Sequence, residues 1–205
     1  MKKIILIGAV ALFGVMNAQT RFGVKAGYAL SSININYDGE DAEEEWDAKS
    51  TFYVGALVEH KLTDAFALQG ELLYSPMGAK YSDSEGGAEY KAEYKLETLQ
   101  LPIGAKFYAT ESFALMAGLN FGFILSAESK ETYSFEGEEE SDSDDIEDHS
   151  SLNLAPFVGV EYNLPMGLFV DARYNMGVSN LYNGEGSDDY TVKNGFFQIG
   201  VGYKF

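Results

Sequence analysis

Asp148-His149-Ser150-Ser151 sets a carboxylate, an imidazole and two hydroxyls in four consecutive positions, the residue types of a hydrolytic relay. A relay needs its nucleophile and base to meet in space with an acid orienting the ring, and adjacency along the chain supplies none of that. The sequence holds one other histidine, His60, on an apolar register beside a short turn, where an interfacial role is expected. No enzymatic activity is expected. The second chemistry is cation binding. Within Glu136-Gly-Glu-Glu-Glu-Ser-Asp-Ser-Asp-Asp-Ile-Glu-Asp148, the residues Asp142, Asp144, Asp145, Glu147 and Asp148 offer the hard oxygens that calcium takes. The run lacks the glycine and the spaced glutamate of an EF-hand loop. It predicts weak, non-stoichiometric Ca²⁺ association at most; the simpler reading is a self-repelling, solvated loop, mobile when no cation is bound.

These residues hang from elements that repeat one pattern. In Gly195-Phe-Phe-Gln-Ile-Gly-Val-Gly-Tyr-Lys-Phe205, the residues Phe197, Ile199, Val201, Tyr203 and Phe205 alternate with Gln198, Gly200, Gly202 and Lys204. A strict period of two, apolar with aromatic ends on one face and small or polar on the other, fits a strand between lipid and a polar barrel interior. Tyr203 and Phe205 are similar to the terminal insertion signal of outer-membrane barrels. The same alternation recurs over 20–33, 51–62, 65–78, 95–109, 112–126, 151–163 and 167–180. Connections at 63–64, 110–111 and 164–166 are short, and those at 34–50, 79–94, 127–150 and 181–194 are long. Strict alternation of long and short puts every long connection on one side. The fold class expected is therefore all-β: an eight-stranded antiparallel transmembrane β-barrel with short periplasmic turns and long acidic extracellular loops. Aromatics at both ends of the apolar rows, such as Phe22, Phe66, Phe107 and Tyr162 below and Tyr28, Phe52, Tyr74 and Tyr174 above, predict two interfacial girdles. A soluble barrel would carry abundant charge on its second face; here that face is dominated by glycine. Pro102 and Pro156 count mildly against membrane strands, because each removes a ladder donor.

The polar register assigns Arg21, Lys25, Glu59, Lys61, Glu71, Lys106, Glu161, Asp171, Arg173 and Lys204 to the lumen. An eight-stranded barrel is just wide enough for side chains to fill, so these charges are expected to pair across it rather than line a channel. Ser75, Asn120, Asn153 and Asn175 lie higher, predicting a charged plug below a shallow polar vestibule.

Strand four, Leu99-Gln-Leu-Pro-Ile-Gly-Ala-Lys106 preceded by Tyr94-Lys-Leu-Glu97, resembles the signature strand of the PorT-like outer-membrane β-barrel family. The resemblance implies an envelope protein of the same fold, transfers no catalytic residues, and gives Pro102 a precedent.

Met1-Lys2-Lys3, an apolar stretch and Asn17-Ala18 read as a secretory signal over 1–18, leaving a barrel domain over 19–205. No cysteine occurs, which excludes lipoprotein acylation, disulfides and thiolate metal sites. The segments 34–50, 79–97, 127–151 and 181–194 sum to −20 against −18 for the whole chain, so the net charge sits on the long connections. Nucleic acid is excluded as a partner for want of a basic surface. The partners expected are outer membrane lipid and lipopolysaccharide, with barrel-assembly machinery during insertion, around a monomer. The expected role is envelope structure or surface and cation-mediated binding; the alternatives are a small porin-like or apolar-ligand transport barrel, and an accessory of a secretion assembly.

Overall fold

The computed structural model describes residues 19–37, 40–41, 46–85, 87–135, 138–146, 148–184, 187 and 190–205. The expected leader over 1–18 and Glu147 lie outside the described residues. The strands are β1 (Thr20–Tyr37), β2 (Glu40–Asp41), β3 (Asp47–Lys61), β4 (Phe66–Tyr74), β5 (Met77–Glu85), β6 (Ala88–Tyr108), β7 (Phe113–Phe135), β8 (Glu138–Asp145), β9 (Leu152–Asn163), β10 (Leu168–Met176) and β11 (Tyr190–Lys204). Eight of them close an antiparallel ring: β1, β3, β4, β6, β7, β9, β10 and β11, with β11 returning to β1 from Gly23↔Lys204 to Tyr37↔Tyr190. The Phe205 N–H continues that seam by donating to the Phe22 carbonyl at 2.8 Å. A closed ring leaves no edge whose N–H and C=O groups need water.

Side chains alternate as the sequence requires. Val24, Phe52, Leu72, Ile103, Val158 and Val201 point outward and are exposed, while Lys25, Tyr53, Leu73, Gly104, Phe157 and Gly202 sit on the inner face. The expected aromatic rows form across strands. At the short-turn end Phe66 opposes Phe107 with ring centroids 5.2 Å apart, and Phe113 opposes Tyr162. At the other end Tyr28 opposes Phe52, whose ring is 6.1 Å from that of Tyr74, and Tyr174 opposes Phe197. Two of the short turns share one construction. Thr63 Oγ1 accepts from the N–H groups of Ala65 and Phe66, and Thr110 Oγ1 accepts from those of Ser112 and Phe113. Such a hydroxyl supplies locally the acceptors that a tight reversal leaves unmet. The third reversal passes through Met166 and Gly167, both at positive φ.

At the opposite end the ring strands run on. β7 spans 23 residues, roughly twice the 9–11 that a tilted strand needs to cross hydrocarbon. The connection expected over 79–94 is the β5–β6 hairpin, and that over 127–150 is largely the β7–β8 hairpin, with Glu138–Asp145 paired to 128–135. The expectation of an irregular loop is thereby corrected for Glu138–Asp145, which is a paired strand. The run needs no apolar surface of its own, because β7 supplies a backbone template already fixed by the ring. One bulge interrupts this region: Glu97 pairs with Ser126 and Thr98 with Ile124, leaving Leu125 over. Inward positions on β7 are Met116, Asn120 and Ile124 below the bulge and Ala127 above it. Pro102 has its expected cost: the β4–β6 ladder stops at Gly70↔Ile103 and resumes at Leu73↔Gln100.

Inward glycines make room for rings from neighbouring strands. A Cβ on Gly200 would lie 2.1 Å from Tyr53 Oη, and one on Gly202 would lie 2.2 Å from the Phe169 ring. Gly118 faces Gly104 across β6–β7, and a Cβ there would lie 2.3 Å from the Ile103 carbonyl and 2.8 Å from Phe157. By contrast, the nearest atom to a Cβ on Gly122 is 3.5 Å away. Gly118→Ala is expected to destabilise the folded barrel by about 1–3 kcal/mol through overpacking, and Gly122→Ala to leave it unchanged. Urea unfolding of the refolded variants checks both; equal losses would show that backbone approach does not set the need for glycine.

Candidate functional site

Eight charged side chains, none more than 4 % exposed, meet inside the ring as two neutral groups of four. In the group nearer the short turns, Lys106 Nζ donates to Glu59 Oε2 at 2.9 Å and to Glu161 Oε2 at 2.5 Å. Lys204 Nζ donates to the same carboxylates at 2.8 and 2.6 Å. Tyr108 Oη donates to Glu59 Oε1 at 2.8 Å, and Lys204 stands 4.7 Å from the Phe169 ring centroid. In the second group Arg173 Nη2 donates to Glu71 Oε1 at 2.6 Å and to Asp171 Oδ2 at 3.1 Å. Lys25 Nζ bonds Asp171 Oδ2 at 2.6 Å and lies 3.5 Å from Glu71 Oε2. Phe157 stacks 5.1 Å from the Arg173 guanidinium. Two sequence assignments are corrected. Arg21 is exposed, and Lys61 is half-buried with its ammonium 4.8 Å from the Tyr108 ring centroid. Both occupy the last positions before the ring ends, where long side chains reach water while their stems stay packed.

Above the charges lies a layer of amides. Asn120 Nδ2 donates to Gln100 Oε1 at 3.1 Å and to Asn175 Oδ1 at 3.3 Å, Asn175 Nδ2 donates to Gln198 Oε1 at 3.3 Å, and Gln198 Nε2 returns to Gln100 Oε1 at 3.4 Å. Asn153 Nδ2 bonds Asn194 Oδ1 at 3.0 Å, and both Gln100 and Asn194 point amide groups at the Met77 sulfur. Ser75, Asn120, Asn153 and Asn175 are buried, so they do not line an open polar vestibule as expected.

The next layer outward is apolar. Met77, Leu96, Ile124, Ala127, Ala155, Leu181 and Phe196 pack together, with Ile146 and Val192 against them. Over this cluster a cavity of about 300 Å³ opens, with Ile33, Leu96, Ala127, Ile146, Leu181 and Val192 in its walls. The bulge at Leu125 turns Ala127 into this space. The roof is made where two connections meet: Ser150 N–H donates to the Leu181 carbonyl at 2.8 Å, His149 bridges Tyr182, and Asn183 N–H donates to the Asp148 carbonyl at 3.2 Å. Asn180 fixes the second connection by accepting from the N–H groups of Tyr182 and Val192 on Oδ1 and donating to the Tyr190 carbonyl. On the far wall Trp46 lies 4.8 Å from the ring of Tyr94, a cavity residue. Behind it Lys49 bonds the Tyr94 carbonyl at 3.4 Å and pairs with Glu93 at 3.1 Å. Burial pushes the Glu93 carboxyl up, and the Lys49 hydrogen bond and charge outweigh it, holding the group below the usual carboxylate range.

Asp148, His149 and Ser150 fall in the roof rather than in a relay. His149 Nδ1 donates to the Ser150 carbonyl at 3.2 Å, and the Ser150 hydroxyl donates to the Leu152 carbonyl at 3.1 Å. His60 is exposed and bonded to Thr20 Oγ1 at 2.8 Å. The expected calcium ligands do not converge: Asp142, Asp144, Asp145 and Asp148 are all exposed, and the extended strand sends Asp144 and Asp145 to opposite faces. Among the described residues, no three acidic or imidazole groups could hold a metal together. Sequence reasoning missed the apolar walls. Two signals pointed to them: Ile146 is alone among acids, and Ile124-Leu125 breaks the alternation at the bulge.

Residues 17–183 match the family model described as an outer membrane protein beta-barrel domain. Comparison with curated proteins gave no match. Among solved structures the chain is similar to Ail, the attachment invasion locus protein of Yersinia pestis, at 21% identity and a TM-score of 0.47 over 91% of this chain and 99% of that one. It is similar to Neisserial surface protein A at 16% identity and 0.44 over 90% and 97%, and to OprG from Pseudomonas aeruginosa at 17% and 0.38 over 90% and 95%. Because the family match spans most of the chain, from β1 through β10, the chain belongs to the family of outer membrane protein β-barrel domains and is a protein of the bacterial outer membrane.

Proposed function

We propose that the protein is a non-enzymatic surface barrel whose lumen is closed and whose working part is the outward set of strand extensions. One observation carries this reading: two buried, electroneutral groups of four charges cross the lumen at successive heights and are bonded to one another rather than lining a bore. The amide layer adds a second barrier. In this reading the segment 1–18 is removed as a secretory signal, and Tyr203 and Phe205 serve recognition by the assembly machinery. The mature barrel stands alone in lipid and lipopolysaccharide. The acidic β7–β8 hairpin presents carboxylates to water, where divalent cations associate weakly and without fixed stoichiometry. Kinship with the PorT-like branch rests on Leu99 through Lys106 and the preceding Tyr94 through Glu97, and a secretion-assembly role rests on that kinship.

The expected result in planar bilayers is silence from the refolded barrel, whose formation heat-modifiable gel mobility confirms. Stable ion-conducting steps would show an open lumen and put transport first. Arg173→Met leaves Glu71 and Asp171 with Lys25 as their one remaining partner in the group. The expected loss is about 3–5 kcal/mol of stability in urea unfolding, as for one partner removed from a buried ion pair. A loss below about 1 kcal/mol would mean that the group is solvated and the lumen wet.

A further inference from the structure

The apolar cavity above the amide layer has no part in spanning the membrane. Its walls belong to extensions beyond the outer row of aromatic residues, and they face inward rather than toward lipid. Ile33 comes from β1, Leu96 from β6, Val192 from β11, and Ile146 and Leu181 from the two connections that form the roof. At about 300 Å³ the space is at the lower end of small-molecule sites, which run from about 300 to 1,000 Å³. The aliphatic walls offer water few polar partners, so an apolar body gains by replacing it there. The walls therefore select an apolar body.

The rim selects a charge. Asp148 and His149 both border the cavity, and the Asp148 side chain is exposed. Asp144 and Asp145 end the strand that leads into the wall residue Ile146, and both are exposed. An anionic amphiphile, the lipopolysaccharide acyl chain with its phosphates included, meets like charge at the entrance; a cationic one meets the opposite charge. We propose that this vestibule is a binding site for a small amphipathic cation, its apolar body in the cavity and its ammonium toward Asp148. The inference rests on the reading that the outward extensions are the working part of the barrel.

The chain's one tryptophan provides a reporter, since Trp46 packs against the cavity wall through Tyr94. Dansylcadaverine and dansylglycine share one apolar fluorophore and carry opposite head charges. With the protein refolded into phosphatidylcholine vesicles, Trp46 is excited and dansyl emission read against protein-free vesicles. Dansylcadaverine is expected to give saturable energy transfer and to bind roughly fivefold more tightly than dansylglycine, the effect of one exposed charge pair. Asp148→Asn, in an exposed connection, is expected to reduce that discrimination. Ala127→Phe, which fills the cavity, is expected to abolish saturation while heat-modifiable mobility shows the barrel intact. Transfer linear in probe, equal affinity for the two probes, or unchanged binding to folded Ala127→Phe would each overturn the site. A conducting barrel that still shows saturable transfer would sink the closed lumen alone, and a silent barrel without it would sink this site alone.

Discussion

The closure of β11 on β1 sets every other feature of this protein. In hydrocarbon no backbone donor or acceptor can turn to water, so the sheet must meet itself, and eight strands fix a narrow circumference. The space enclosed is too small for a large inward side chain from every strand at each level and too apolar in its surroundings for lone charges. Tyr53, Phe157 and Phe169 fit because Gly200, Gly118 and Gly202 give them room. The charges fit because each carboxylate reaches two cations across the lumen. A side chain in place of such a glycine would overpack the wall, and loss of one charge from a group would leave an unpaired ion in it.

Along the barrel axis the interior changes character in ordered steps, from ion pairs through amides to aliphatic side chains. The order has a physical logic. Ion pairs tie the strands nearer the short turns, amides link in a ring through Gln100, Asn120, Asn175 and Gln198 above them, and apolar groups close the top where two connections cross. The outer apolar layer is thereby separated from the ion pairs by a full layer of amides.

Much of this was legible in the chain because period-two alternation is a local signal. Each strand carries its own faces, and the short turns at Thr63 and Thr110 mark their ends. The inward charges were legible by the same register, except at its ends, where Arg21 and Lys61 obey alternation but escape to water. What was hidden depends on pairing between distant segments. The acidic run at 138–145 looks unstructured by composition, and it is a strand because β7 continues beside it. The apolar vestibule assembles from residues more than a hundred positions apart, such as Ile33 and Val192, and no local period announces that meeting.

The single unpaired Leu125 has a further consequence. Below it, the side of β7 that each residue faces is dictated by lipid, and above it by water. One extra residue resets the count, so the two lengths of a continuous strand become separate texts. Leu125 and Ser126 together oppose Glu97 and both face outward, so the inward positions are even-numbered up to Ile124 and odd-numbered from Ala127. Loss of Leu125 would restore plain alternation with every pairing above it unchanged. The bulge thus lets one continuous strand carry two in-out patterns, one set against lipid below Leu125 and one set against water above it.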